Sequence, residues 1–465
     1  MGIKVKVIKT EVVAPRQPWS EHWLPLTNLD LVVPPIDMGC FFCYKKPHDQ
    51  MDMVDALKTS LSHVLVFFYP IAGEIVPTAT GELEIHCNYR GVDFTEAAAD
   101  VELWELDFYN HDENIGVKLM PQEHHGVLAI QVTMLKCGGM VVACLFDHRV
   151  IDGYSMNMFT TSWANMTRSQ PPSLIPYFDR SDLKPRHSKH YTPYVANMFF
   201  PLSKLPLPVS DSDNELDLNQ HSRISRIYYI KGEQINGLRL LASENGIIRS
   251  KVESFASFLW KITGSFLEDS GHPGYMCNIA VPVDGRRWLS EGEGVEKENQ
   301  MAARCGNVFS IPFRGIRAQD LVDMPLSSVA SHVHELSESA ATKEHFKQLI
   351  DWVEDQKPNT LISRPFVVKE KAFSIMMSSG LRFSLLGKMD FGWGKPVFTS
   401  CHVPTTRMDC HVMPLASPVN GDDWIVYMHL PKKQLDYMEA RAGNVFKPLI
   451  AGYLQQALNP KISRI

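Results

Sequence analysis

The stretch Met140-Val141-Val142-Ala143-Cys144-Leu145-Phe146-Asp147-His148-Arg149-Val150-Ile151-Asp152-Gly153 carries two signals at once. Its first seven residues are apolar without alternation, which describes a strand buried on both faces. Beyond Gly153, residues Met156, Phe159, Trp163 and Met166 recur at helical spacing. His148 therefore falls where a strand ends and a helix is about to begin, in HxxxD spacing with Asp152. A histidine held there can turn one ring nitrogen to a cavity, and its ordinary pKa of about 6.5 suits a general base near neutral pH. Asp152 suits an anchor for a cation or for backbone donors. The alternative is a structural histidine satisfied by its surroundings, since HxxxD spacing also arises by chance.

Strands and helices interleave on both sides of this stretch. Val54, Leu57, Leu61, Val64, Leu65 and Phe68 predict a helix ended by Pro70 and Gly73, and 127–134 predict an alternating strand. Val252, Phe255, Leu259 and Ile262 predict a helix stopped by Gly264, 424–430 a strand, and Gln434 onward a helix. The N-terminal alternation reads as a first strand. Prolines crowd 171–208 and a polar run follows, so 171–219 reads as a long crossover. The expected organisation is an N-terminal lobe over 1–175, a crossover over 176–221 and a C-terminal lobe over 222–465, of α/β class.

A second motif, Asp390-Phe391-Gly392-Trp393-Gly394, puts one large rigid side chain between two glycines. Together with His148 and Asp152 at this separation, it resembles the plant BAHD acyl-CoA-dependent acyltransferases. Tyr69-Pro70-Ile71-Ala72-Gly73, Phe178-Asp179-Arg180-Ser181, Val283-Asp284-Gly285-Arg286 and Gly306-Asn307-Val308 extend the resemblance along the whole length. Segments such as Phe41-Phe42-Cys43-Tyr44-Lys45 and Leu349-Ile350-Asp351-Trp352-Val353-Glu354 are most similar to coniferyl alcohol acyltransferases and hydroxycinnamoyltransferases.

The resemblance implies two lobes of chloramphenicol-acetyltransferase-like topology, mixed sheets and a channel between the lobes. It also implies a segment near 397–420 that returns to the N-terminal lobe. Acyl-CoA would be the co-substrate, with no bound cofactor, and a small molecule the acceptor. His148 would take the acceptor proton, with no acyl-enzyme. Trp393 would donate to the oxyanion or else only pack its loop. Asp390 would pair with Arg286 and pin the loop, with Gly153, Gly392 and Gly394 shaping the turns. Ser155 reads as a helix-start residue.

Arg249, Ser250 and Lys251 at a helix start are candidates for the CoA phosphates, because helix N-termini and basic side chains both favour anions; a solvated face is the plainer reading. On the acceptor side, Asp37 stands where shikimate-using relatives carry histidine, and Arg382 near where they carry an arginine. Phe41 suits a phenylpropanoid-shaped ligand but is equally an ordinary core residue. Three readings stay open: an O-acyltransferase for a phenylpropanoid alcohol, an N-acyltransferase with Asp37 holding an ammonium, and hydroxycinnamoyl transfer to a shikimate- or quinate-like acceptor. A ligand-binding protein without catalysis has no use for a base, and a condensation domain would take carrier-bound acyl groups.

The 465 residues carry a net charge of −6, which gives nucleic-acid binding no support. No apolar run approaches the roughly 20 residues of a membrane span. Nine cysteines without paired CxxC motifs argue against a disulfide framework and a structural metal site. A cytoplasmic monomer without membrane or nucleic-acid partners is the expectation.

Overall fold

The computed structural model describes residues 3–17, 20–47, 52–205, 223–367, 371–383, 385–404, 410–451 and 453–454. Two large mixed sheets organise them. The first has the order Val5–Val13, Val92–Ala99, Leu128–Leu135, Met140–Asp147, Asp37–Tyr44 and Phe398–His402. The second runs Phe313–Arg317, Met276–Ala280, Ala372–Met377, His411–Ala416, Trp424–Pro431, Arg223–Ile230 and Lys447–Pro448. Each sheet mixes antiparallel with parallel pairs, so the fold is α/β with crossovers between strands.

Three apolar clusters follow from these layers. One lies between the first sheet and helices Met53–Phe67 and Gly153–Thr167, and holds Phe42, Leu61, Phe159 and Trp163. A second lies between the other sheet and its helices, around Trp260, Leu259 and Val426. The third joins the sheets face to face. Phe41, Val141, Ala143 and Phe398 of the first sheet meet Ile227, Met413, Leu415 and Tyr427 of the second. The strand Met140–Asp147 is buried at every position, because it is covered by helices on one side and by the other sheet on the other.

Some expectations change on inspection. The helix over Lys251–Asp269 runs through Gly264. A Cβ there would lie 3.0 Å from Leu321 Cδ2 and 3.4 Å from Ala318 O, so the glycine permits close packing on helix Ala318–Asp323. Of the expected returning segment at 397–420, Phe398–His402 pairs with Asp37–Tyr44, whereas His411–Ala416 lies inside the second sheet. The crossover is pinned where it is described. Phe199–Pro201 pairs with Leu361–Ser363, and Arg186 Nε lies 2.6 Å from Asp351. Its stretch 206–222 lies outside the described residues.

Candidate active site

His148 follows directly on the buried strand. Its backbone N–H donates to Ile36 O at 3.0 Å, and its carbonyl accepts from Asn307 Nδ2 at 2.9 Å. Asn307 is held in turn by Asp30, whose Oδ1 accepts from the Asn307 backbone at 2.9 Å and from Nδ2 at 3.0 Å. Arg180 Nη1 balances the Asp30 carboxylate at 3.0 Å. The backbone of His148 is thus fixed by two segments far apart in the sequence. Its Nδ1 is enclosed without a partner, which leaves Nε2 as the ring nitrogen that can meet a substrate. The ring lies 5.9 Å from that of Phe309. Burial holds its pKa below the ordinary histidine value, so the imidazole is neutral at pH 7 and can accept a proton.

Asp152 turns away from the ring. It caps helix Gly153–Thr167, accepting from Ser155 N at 2.8 Å. Arg286 grips it with two bonds, Nη1 to Oδ2 at 2.8 Å and Nη2 to Oδ1 at 3.1 Å. Arg286 also reaches Asp284, Gly306 O and, 4.3 Å away, the face of Tyr154. Burial would raise the Asp152 pKa, but Arg286 outweighs it and keeps the carboxylate ionised. Ser155 Oγ is likewise enclosed, accepting from Gly306 N at 3.0 Å. A clamp of opposite charges therefore fixes the turn that carries the histidine.

This corrects the expected partnership of Arg286. Asp390 Oδ1 instead accepts from Gly392 N and Gly394 N at 2.8 and 3.0 Å. The carboxylate shapes its own loop, where both glycines have positive φ.

Trp393 is the second correction. Its ring packs 6.2 Å from Tyr44, whose hydroxyl donates to Met389 O at 2.9 Å. Phe391 beside it lies 4.9 Å from Trp163. Tyr44 ends the eight-residue strand Asp37–Tyr44, and the other end, Asp37, pairs with Asp147 next to His148. Seven strand steps span roughly 23 Å at about 3.3 Å each. Trp393 therefore sits at the far end of the sheet from His148 and cannot donate to a carbonyl reacting there. Gly153 is at the near end, with the ring of Phe383 only 2.9 Å from where its Cβ would be.

Asp37 accompanies the base, but it is already partnered. Its Oδ1 lies 2.9 Å from His124 Nε2, and that bond raises the His124 pKa. Phe41 belongs to the core, fully buried against Phe108, His111 and Phe398. Arg382 is exposed, next to the Phe383 that meets Gly153. At the other helix start, Arg249 is buried and bonds Ser331 Oγ at 2.9 Å. Ser250 is spent on a capping box with Glu253. Of the three candidate phosphate ligands, only Lys251 keeps its charge outward, 3.5 Å from Asp422. Sequence reasoning missed His124, Asp30 and the role of Asn307. Asn307 had a signal as part of Gly306-Asn307-Val308, and Asp30 as the end of the family-like segment Glu21-His22-Trp23-Leu24-Pro25-Leu26-Thr27-Asn28-Leu29-Asp30.

Among the described residues no group of His, Cys, Asp and Glu could hold a metal, and no helix is long and apolar enough to cross a membrane.

Comparison with known proteins agrees with this architecture. Vinorine synthase has the same fold, with a TM-score of 0.70 at 19% identity over 96% of this chain and 99% of its own. So does TRI101 of F. graminearum complexed with coenzyme A and T-2 mycotoxin, with a TM-score of 0.71 at 12% identity over 91% and 99%. In sequence, the chain is 27% identical to hydroxycinnamoyltransferase of Narcissus pseudonarcissus, over 85% of this chain and 89% of the relative. It is 26% identical to anthranilate N-benzoyltransferase protein 1 of Dianthus caryophyllus, over 86% and 90%, and 26% identical to (Z)-3-hexen-1-ol acetyltransferase of Arabidopsis thaliana, over 86% and 85%. The Transferase family profile matches residues 3–444, and the chain belongs to that family as an acyltransferase of the BAHD type.

Proposed function

We propose that the chain transfers an acyl group from acyl-CoA to the hydroxyl of a neutral phenylpropanoid alcohol of the coniferyl kind, with His148 as general base. The observation that carries the base is a neutral imidazole with Nδ1 enclosed, which leaves Nε2 to act, and with its backbone held by Ile36 and Asn307. As the acceptor oxygen attacks the thioester carbonyl, its proton passes to Nε2. The tetrahedral adduct then collapses, the C–S bond breaks, and the imidazolium returns that proton to the CoA thiolate. Neither a serine nor a cysteine nucleophile enters the sequence. Asp152 and Arg286 hold the turn and take no proton. Lys251 is our candidate partner for a CoA phosphate.

The relatives act on both kinds of acceptor, as the names (Z)-3-hexen-1-ol acetyltransferase and anthranilate N-benzoyltransferase indicate. The state of Asp37 favours the alcohol. An ammonium acceptor needs an unspent carboxylate, and this one already bonds His124. An amine remains the second reading on the strength of the N-benzoyltransferase relatives, and a shikimate-like acid the third, with the exposed Arg382 to meet its carboxylate. Mass spectrometry of products from a panel of acyl-CoAs with cinnamyl-type alcohols, aryl amines and shikimate separates them. Esters of the alcohols are expected. Amides without any such ester would overturn the choice.

A further inference from the structure

For Nε2 of a neutral imidazole to take a proton, the one N–H of the ring must sit on Nδ1. In His148 that atom is enclosed, and an enclosed N–H without an acceptor is costly. The amide of Asn307 has the complementary need, since its Oδ1 is enclosed and accepts from no donor. Asn307 already holds the same histidine, its Nδ2 donating to His148 O at 2.9 Å. The Asn307 amide also favours the protonated ring, as an acceptor does.

Which end of that amide faces the imidazole is set from the other side, by Asp30. Asp30 is buried in a turn just beyond strand His22–Pro25, where its backbone N–H donates to Thr27 O at 2.9 Å. Every group that meets its carboxylate is a donor. Oδ2 accepts from Thr27 N and Thr27 Oγ1, both at 2.8 Å, and from Arg180 Nη1 at 3.0 Å. Oδ1 accepts from Asn307 N at 2.9 Å and from Asn307 Nδ2 at 3.0 Å. The two hydrogens of Nδ2 are thus divided between Asp30 and His148 O. Turned over, the amide would set its oxygen against two acceptors.

We propose that Asp30 is a positioning residue for the base. By holding the Asn307 NH2 it leaves Oδ1 to receive the Nδ1–H of His148, and the lone pair then falls on Nε2. Arg180 supplies the opposite charge that keeps Asp30 in place. No bond is made or broken in this chain. The Nδ1 proton stays on the ring throughout, and neither Asn307 nor Asp30 takes it.

The proposal rests on the His148 reading, and its test separates the two. In Asp30→Asn the amide oxygen is drawn to the three donors of Thr27 and Arg180, so the new NH2 faces the two donors of Asn307. Turnover should fall on the order of 10²-fold, as for a base misplaced by about 1 Å, with both KM values nearly unchanged. Asn307→Ala should lose as much while keeping the Arg180–Asp30 pair, and it gives the readout should Asp30→Asn fail to fold. The double variant should be little worse than either single one. Nitrogen-15 NMR of the imidazoles, with the His148 signals identified by their loss in His148→Ala, should place the proton on Nδ1 in the wild type and spread it over both nitrogens in Asn307→Ala. Wild-type kcat in either folded variant, a loss confined to KM, or a wild-type ring protonated on Nε2 overturns the positioning role. Retained turnover in His148→Ala would instead remove the base itself, and with it anything for Asp30 to position.

Discussion

Which nitrogen of one imidazole is reachable decides what His148 can do. Nδ1 is enclosed without a partner, so proton transfer falls to Nε2. Replacing His148 with alanine should cost roughly 10²–10⁴-fold in turnover with the fold kept, as circular dichroism and single-turnover kinetics would register. The sign of the pH effect follows from burial. A base whose pKa lies below the ordinary 6.5 stays neutral to lower pH. The acid limb of kcat/KM should accordingly fall below pH 6.5, and a limb centred above 7 would contradict the burial argument. At the same scale, Arg286 and Asp152 form a buried pair, and removing either alone should cost about 3–5 kcal/mol. Double-mutant cycles in denaturant should show Arg286→Ala strongly coupled to Asp152→Ala. The same cycle with Asp390→Ala should be additive to within about 0.5 kcal/mol, since the two side chains share no partner. Coupling between Arg286 and Asp390 would mean the loop is tied to the clamp after all.

Elements were the most legible part of the sequence where periodicity was long and uninterrupted. The helix Met53–Phe67 and the strands Leu128–Leu135 and Trp424–Pro431 lie where spacing predicted them. The miss at Gly264 has a physical cause. Glycine weakens a helix by only about 1 kcal/mol, and tertiary packing overrides that. What the sequence could not reveal is the neighbour that requires it, Leu321 on another helix. Gly264→Val should therefore destabilise by about 1–3 kcal/mol through overpacking, measured as a lowered urea midpoint with the m-value kept. A gain in stability, as expected if the glycine were merely a poor helix former, would refute the close-packing account. The same limit explains Phe41 and Arg249. Both are of the right type for a ligand, and both are turned inward by partners distant in sequence, Phe398 and Ser331.

At the scale of the whole molecule, motif spacing along the chain says nothing of distance in space. HxxxDG and DFGWG lie along one strand and one helix, yet at opposite ends of them. The same topology lays two sheets face to face and buries histidines between them. His111 Nε2 lies 3.0 Å from His402 Nδ1, and His411 and His429 are cross-strand neighbours. Burial lowers His402 and His411 to about pKa 3 and His429 to about 4. Each is neutral when folded, and each takes a proton below about pH 6.5 when unfolded. Stability contributed by this neutrality is complete above pH 6.5 and is lost progressively as the pH falls towards 3–4. Each group adds a slope of up to about 1.4 kcal/mol per pH unit. His124 acts in the opposite sense, because Asp37 raises its pKa, and it offsets part of the slope near neutrality. Acid-labile carboxylate pairs contribute at lower pH, so the window from 6.5 to 5 isolates the histidines. Urea unfolding across that window should show stability falling steadily with pH, and His402→Gln should flatten the fall by about one proton. A flat profile between pH 6.5 and 5, or an unchanged slope in that variant, would mean that the histidines between the sheets are protonated in the folded state as readily as in the unfolded chain.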